Sequence, residues 1–335
     1  MRFGLFGGAT AGKLKEGADS QFYNDYIDYV CEAEQLGFHS VFLVEHHFTG
    51  IGQVSASLNL LTYLAAKTSK LRLGTAVIVL PWHNPVLLAE QAATLDLLSN
   101  GRFDFGIGRG YRYNEFNGFG MSMEEANELY AESVEVLKKS WTSKGRFSHK
   151  GKRWTFNDIV VEPPTTQKPH PPLWIGAASD ASITKAGEDG FHLLLDQFAS
   201  VENAGKRIAT YRQAIESKGH KFNPHHVGLT RALHLAMNKD EREEQIRQRA
   251  AFVMAAGALA ANPNAPPAGP GVPTSLEGVR KATEESGIIG PPEEMITRLK
   301  ALQAVGIEYV LLMDVSGSRK TLRTFAKEVM PAFKN

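Results

Sequence analysis

Short apolar runs alternate with longer amphipathic stretches from one end of the chain to the other. The runs predict strands over Arg2–Phe6, Ser40–Val44, Leu71–Val79, Phe103–Ile107, Pro172–Ile175, His192–Leu195, Val227–Ala236 and Tyr309–Met313. Between them, amphipathic stretches predict helices over residues 21–36, 55–68, 85–99, 123–140, 180–188, 202–218, 239–256 and 292–305. A last helix over 319–333 closes the chain. Strands that alternate with helices in this way build a parallel sheet. Eight such units imply an α/β fold closed into a (β/α)8 TIM barrel, with a doubly wound open sheet as the other arrangement.

Local punctuation supports these boundaries. Leu36-Gly37-Phe38 and Val305-Gly306-Ile307 repeat the same exit from a helix into a strand, with glycine just past the helix end. Pro85 and the run Pro291-Pro292-Glu293-Glu294 stand where helices begin, and a first-turn proline there gives up no hydrogen bond. Two segments exceed a minimal barrel. Residues 144–171 read as a short hairpin followed by a Pro-rich return. Residues 257–290 are rich in Ala, Pro and Gly, and read either as a mobile lid or as a plain insertion. The expected organisation is one barrel domain over residues 1–335 that carries both insertions.

Composition changes this picture little. Of 335 residues, 43% are hydrophobic and 22% charged, as in ordinary globular proteins. The net charge of +1 shows no basic run that would suit nucleic acid. The only cysteine, Cys31, excludes an intramolecular disulfide. No stretch reaches the roughly 18 apolar residues of a membrane span, and the N-terminus lacks a signal-peptide core. A cytoplasmic protein is the expectation.

Chemistry-bearing residues gather at the predicted C-terminal ends of the strands, the face that carries barrel active sites. Glu45-His46-His47-Phe48 leaves the second strand. Side chains alternate along a strand, so His46 shares a face with Phe42 and Val44 and would point at the barrel mouth. It is the candidate acid–base residue, against the alternative of a satisfied structural histidine. Adjacent histidines diverge, which disfavours a shared metal, and none is expected. Thr75 and Ala76 would leave room for a flat ligand, although ordinary strand packing explains them as well. Gly106, Gly108 and Gly110 allow close approach to the backbone, and Arg109 among them is placed to grip a phosphate or to pair with a surface carboxylate. Ser179 or Asp180 would cap the helix that follows the fifth strand, whose free N–H groups suit a phosphate.

Taken together, these stretches resemble the luciferase-like, flavin-dependent monooxygenase family, of the alpha-subunit type. The resemblance rests on Val44-Glu45-His46-His47-Phe48-Thr49, on Gly74 through Pro81, on Ser99 through Phe103 with Gly108-Arg109-Gly110, and on Glu115-Phe116 with Phe119-Gly120. A thinner match follows at Ala177 to Gly190, Ile289 to Glu294 and Gly306-Ile307. It implies a dimeric barrel that takes reduced FMN (FMNH2) from a separate flavin reductase. With O2 it would oxygenate a small organic substrate through a C4a-peroxyflavin. Arg109, Ser179 and Ser182 would hold the phosphate, and Tyr111 and Ala178 would line the cofactor. Ala76-Val77 would form a non-prolyl cis peptide beneath the isoalloxazine ring, Glu45 would lie close to the flavin, and His46 would be catalytic. The 257–290 segment falls where the family's luciferases carry a mobile lid.

Three positions depart from the luciferase pattern. Gly108 replaces its reactive-site cysteine, and Arg112 and Gln197 stand where aromatic side chains are expected. These departures imply flavin chemistry without light emission. The competing readings are a deazaflavin (F420) enzyme that transfers hydride on the same barrel, a non-catalytic partner subunit, and a metal-dependent barrel hydrolase.

Overall fold

The computed structural model describes residues 1–11, 19–261, 273–314 and 316–334. The strands are β1 (Arg2–Gly7), β2 (Ser40–Leu43), β3 (Arg72–Thr75), β4 (Ile78–Val79), β5 (Phe103–Gly108), β6 (Phe147–Lys150), β7 (Thr155–Ile159), β8 (Leu173–Gly176), β9 (His192–Leu195), β10 (Val227–Leu235), β11 (Ile288–Gly290) and β12 (Tyr309–Met313). The helices are α1 (Asp19–Gln35), α2 (Ser57–Lys67), α3 (Pro85–Leu98), α4 (Tyr113–Gly118), α5 (Ala126–Thr142), α6 (Asp180–Glu188), α7 (Val201–Ser217), α8 (Lys239–Ala260), α9 (Leu276–Ser286), α10 (Pro292–Ala304) and α11 (Arg319–Thr324).

Eight strands pair in parallel in the order β1-β2-β3-β5-β8-β9-β10-β12, and β12 returns to β1, so the barrel is closed. The short β4 extends the wall beside β5, and β11 adds to β10. Helices on the outside bury the second face of each strand. Phe42 and Leu43 are therefore both fully buried although they point to opposite sides of β2. The inner face forms its own small core of Phe42, Trp174, Leu194, Tyr309 and Leu311. Register places Gly74 beside Phe42, and a Cβ on Gly74 would lie 2.3 Å from the Phe42 ring, so glycine makes room for that ring.

Pro85 begins α3, and Asn84 caps it by accepting from the Val86 and Leu87 N–H groups at 3.0 and 3.2 Å. The hairpin expected within 144–171 is β6–β7, antiparallel. In the Pro-rich return that follows, Glu162–Pro163 and Lys168–Pro169 are cis, and Gln167 bonds both Asp96 oxygens at 2.7 and 2.8 Å.

Four boundaries differ from the sequence expectation. The third apolar run is split into β3 and β4 at Ala76–Val77, whose peptide bond is cis. The last helix is α11 alone; a π-turn over Phe325–Val329 and a 3₁₀ turn over Met330–Phe333 follow, since Pro331 cannot extend the helix hydrogen-bond ladder. Helix α4 appears where no helix is predicted. The described parts of the 257–290 segment are largely regular: α8 runs on to Ala260, Ser275 caps α9 by accepting from Gly278 N–H at 3.0 Å, and β11 joins the sheet. Residues 262–272, the centre of the expected lid, lie outside the described residues.

Candidate active site at the barrel mouth

Beyond β2 the chain turns across the mouth, and Glu45 anchors it there. Its carboxylate is 2% exposed. Oε1 accepts from His83 Nε2 at 2.7 Å and His47 Nε2 at 3.1 Å, and Oε2 accepts from Val79 N–H at 2.7 Å. Burial pushes this carboxyl up, but the bonds from His47 and His83, the His83 charge and the Val79 N–H outweigh it and hold the group below its usual range. Glu45 thus ties the segment after β2 to β4 and to the start of α3. Both its oxygens are engaged by protein donors, so it shapes the site beside the expected flavin position.

His46 points the other way, as strand alternation requires. Its Nδ1 lies 3.1 Å from Glu115 Oε1, which also accepts the His47 N–H at 3.0 Å. Glu115, in the first turn of α4, is 2% exposed. A carboxylate there favours the tautomer with hydrogen on Nδ1 and leaves the Nε2 lone pair as the basic site. Among the described residues no partner bonds Nε2. Burial pushes the His46 imidazole below its ordinary value, the bond it donates to Glu115 opposes this, and the Arg112 charge adds to the lowering. The net effect is a neutral base at neutral pH. The composition of this pair is what sequence reading missed: Glu115 is 69 residues from His46, and its only local signal is an acidic side chain at a helix start.

The floor of the mouth is apolar and partly open. Ala76, Val77 and Phe6 lie against the inner core without being fully covered. A Cβ on Gly176 or Gly7 would find no atom within 4 Å. At Gly108 it would lie 2.5 Å from Val77 Cγ2, so the side chain of a cysteine there would press on the cis segment. Phe48, Trp82, Phe116 and Phe119 form an aromatic wall with His47; Trp82 and Phe119 are stacked at 5.3 Å. A hollow of about 380 Å³ lies instead at the opposite end of the barrel, beside Met1, His39 and Phe333. Barrel chemistry is located at the C-terminal face, which places that hollow outside the site.

Arg109 follows β5 and is exposed; its Nη1 donates to Asn127 Oδ1 at 2.9 Å, and no carboxylate pairs with it among the described residues. Tyr111 is 56% exposed beside it, with the Arg112 guanidinium 5.8 Å from its ring. On the neighbouring strand exit, after β8, Ala178 and Ser179 are exposed, and Ser179 and Ser182 form a reciprocal capping box at the start of α6. Since β5 and β8 are adjacent, Arg109 and the α6 N-terminus leave the barrel side by side. A partly open apolar floor, an arginine without a carboxylate partner among the described residues and a helix N-terminus suit a flat heteroaromatic ring with a phosphate tail. The residues present therefore fit reduced FMN.

The model of the luciferase-like monooxygenase family matches residues 1–309, and the chain belongs to that family. It is a flavin-dependent oxidoreductase of the luciferase-like monooxygenase type. The oxygenase component of the flavin-dependent trigonelline monooxygenase of Acinetobacter baylyi is 29% identical over 99% of this chain and 96% of its own length. The alkanal monooxygenase alpha chain of Photorhabdus laumondii is 30% identical over 64% of this chain and 58% of its own. Among solved structures, a monooxygenase from Streptomyces bottropensis superposes with a TM-score of 0.85 at 25% identity over the whole of both chains. An F420-dependent secondary alcohol dehydrogenase has a TM-score of 0.78 at 18% identity over 100% of this chain and 99% of its own, a likeness of fold alone.

Proposed function

We propose that the chain is the oxygenase component of a two-component monooxygenase that takes reduced FMN from a separate reductase and inserts one atom of O2 into a small organic substrate. The observation that carries this reading is the His46–Glu115 pair, held at 3.1 Å at a mouth whose floor is apolar and only partly covered. The nature of the A. baylyi relative supports it. When bound, reduced FMN supplies the two electrons and the oxygen activation; the second oxygen atom leaves as water.

The chain's own residues would do the rest. Arg109, Tyr111 and the α6 start at Ala178, Ser179 and Ser182 would hold the phosphate end. Ala76 and Val77 would support the ring from below. Glu45 would keep the loop after β2 in place through His47, His83 and Val79. His46 Nε2 would accept or return a substrate proton while Glu115 fixes the ring on its Nδ1 side. The aromatic wall would exclude water from the reacting centre. The exposed Tyr63 on α2 and Leu87, Leu97 and Leu98 on α3 would seat a second copy, giving a homodimer. A cytoplasmic location suits an enzyme fed by a diffusing reductase product.

Anaerobic titration with photoreduced FMN, followed by rapid mixing with air, tests the reading. Saturable binding and reoxidation slower than that of free reduced FMN are expected. Failure to bind, or reoxidation at the free rate, overturns it and directs the same titration to reduced F420.

A further inference from the structure

Arg249, in the middle of α8, is 6% exposed. Its Nη2 donates to Gln197 Oε1, just past β9, and its Nη1 lies 3.6 Å from Met313 Sδ, the last residue of β12. Met313 follows Tyr309 and Leu311 of the inner core in the strand's alternation, which turns its sulfur, and the guanidinium 3.6 Å from it, toward the mouth side of the barrel. Among the described residues no carboxylate pairs with Arg249. Its burial lowers its pKa to about 10 with no opposing partner.

Such burial is unusual for a charge, which needs an anion and several acceptors to offset its lost hydration. Two other arginines, one buried and one half-buried, are better supplied with acceptors. Arg231 donates to the carbonyls of Asp196, Ala199 and Thr230, and Arg72 grips Asp104 through two bonds of 2.7 and 2.8 Å. Arg249 has an amide oxygen and a thioether. A second guanidinium is similarly short of acceptors. Arg112, the N-cap of α4, is 5% exposed; its Nη1 reaches only Gln53 Oε1 at 3.5 Å, and its buried Nε has no partner. Helix α4 packs on α8, so the two cations stand on adjoining walls of one mouth.

The geometry points to an organic acid as the substrate of the oxygenase proposed above: its carboxylate is received by Arg249, with Arg112 completing the cationic wall near His46. The guanidinium fork matches a carboxylate in two parallel bonds, and the amide oxygen of Gln197 fixes the orientation of the fork. This assignment rests on the flavin-oxygenase reading for the word substrate, and on the two arginines alone for the anion.

Anaerobic calorimetry on the full chain, with and without reduced FMN, tests it. The probes are benzoate, cyclohexanecarboxylate and hexanoate, each against its primary amide. At least one acid is expected to bind at least tenfold tighter than its amide, and Arg249→Met to abolish that preference while Arg249→Lys retains part of it. Thermal unfolding separates a structural role: removal of a buried charge that lacks an anion leaves the melting temperature of Arg249→Met unchanged or raised, whereas a structural arginine would lower it. Acids that bind no tighter than their amides across the panel overturn the inference, as does an Arg249→Met variant that weakens reduced FMN and leaves the acids unaffected. Acid preference without reduced-FMN binding overturns the flavin reading and keeps the anion site; the reverse pattern does the opposite.

Discussion

Glu45→Gln is the most informative single change outside the reacting groups. The carboxylate accepts three bonds, at 2.7 Å from His83, 2.7 Å from Val79 N–H and 3.1 Å from His47, in a site that is 2% exposed. The glutamine keeps one carbonyl oxygen, which can satisfy Val79, and turns its NH2 toward two imidazole nitrogens that were donating. Hydrogen bonds to a charged group are worth about 1.5–3 kcal/mol each, so losing the two imidazole bonds costs about 3 kcal/mol after partial rearrangement. With an unfolding entropy of about 2.1 cal/mol/K per residue, a barrel of this length converts that into a melting point lower by about 4 °C. The sign of the pH effect is fixed by the depressed carboxyl. Stability from Glu45 is fully present above the unfolded-state value of 4.5 and is lost as the pH falls through the lower folded-state value. The gap between wild type and Glu45→Gln, followed by circular dichroism on heating, is therefore widest near neutral pH and narrows below about pH 4.5. The exposed Glu124→Gln serves as control. A Glu45→Gln protein that melts within about 1 °C of wild type at pH 7 would show that the carboxylate does not hold the mouth together.

Three further outcomes follow from the same geometry. His46→Gln should lower kcat about 10²–10⁴-fold with little change in reduced-FMN binding; in wild type the acid limb of kcat/KM should lie below the ordinary imidazole value of 6.5, and Glu115→Gln, which removes the partner that raises His46, should move it lower still. Arg109→Gln should weaken reduced FMN by about 10- to 100-fold, the worth of one or two charge-assisted bonds, with unchanged melting temperature, as read by anaerobic fluorescence titration. Gly106→Ala should fail to accumulate as folded protein, since its Cβ would lie 1.7 Å from the Thr75 carbonyl oxygen, whereas Gly108→Ala meets only Val77 Cγ2 at 2.5 Å and should fold with a loss of about 1–3 kcal/mol in urea denaturation.

The barrel was legible in the sequence because a parallel strand covered on both faces shows as an apolar block. His192–Leu195 and Tyr309–Met313 match the predicted strands to the residue. What escaped was short or set by distant contacts. Helix α4 spans six residues and carries too few apolar positions to show a period. Helix α9 and β11 lie in the segment from 257 to 290, whose Ala, Pro and Gly content hid them. The site divided along the same line. His46, Arg109 and Ser179 sit directly after strands, where alternation and capping rules reach them. Glu115 and Arg249 take their meaning from partners 69 and 52 residues away, and no local pattern carries that information.

The two ends of the barrel interior explain why the chemistry collects where it does. At the N-terminal end most polar side chains engage one another: Arg72 clasps Asp104, Trp174 Nε1 donates to Asp104 at 3.1 Å, Ser40 meets Tyr309, and His192 stacks on His226 at 3.7 Å, although its buried Nδ1 has no partner among the described residues. Burial there pushes His192 down to about 3, so that ring stays neutral within the physiological range. At the other end Phe6, Ala76 and Val77 leave the floor only partly covered, and the groups above it are held on one side only. His46 is tied through Nδ1 with Nε2 left for a ligand, Arg109 is tied by one neutral amide, and Arg249 by an amide and a thioether. A closed network stabilises and cannot bind; an incomplete one costs stability and is completed by what it binds. The barrel places the more nearly satisfied network at the strand starts and the less satisfied one at the strand ends. That asymmetry, more than any single residue, is the ground for proposing that both the flavin and the acid bind at the mouth.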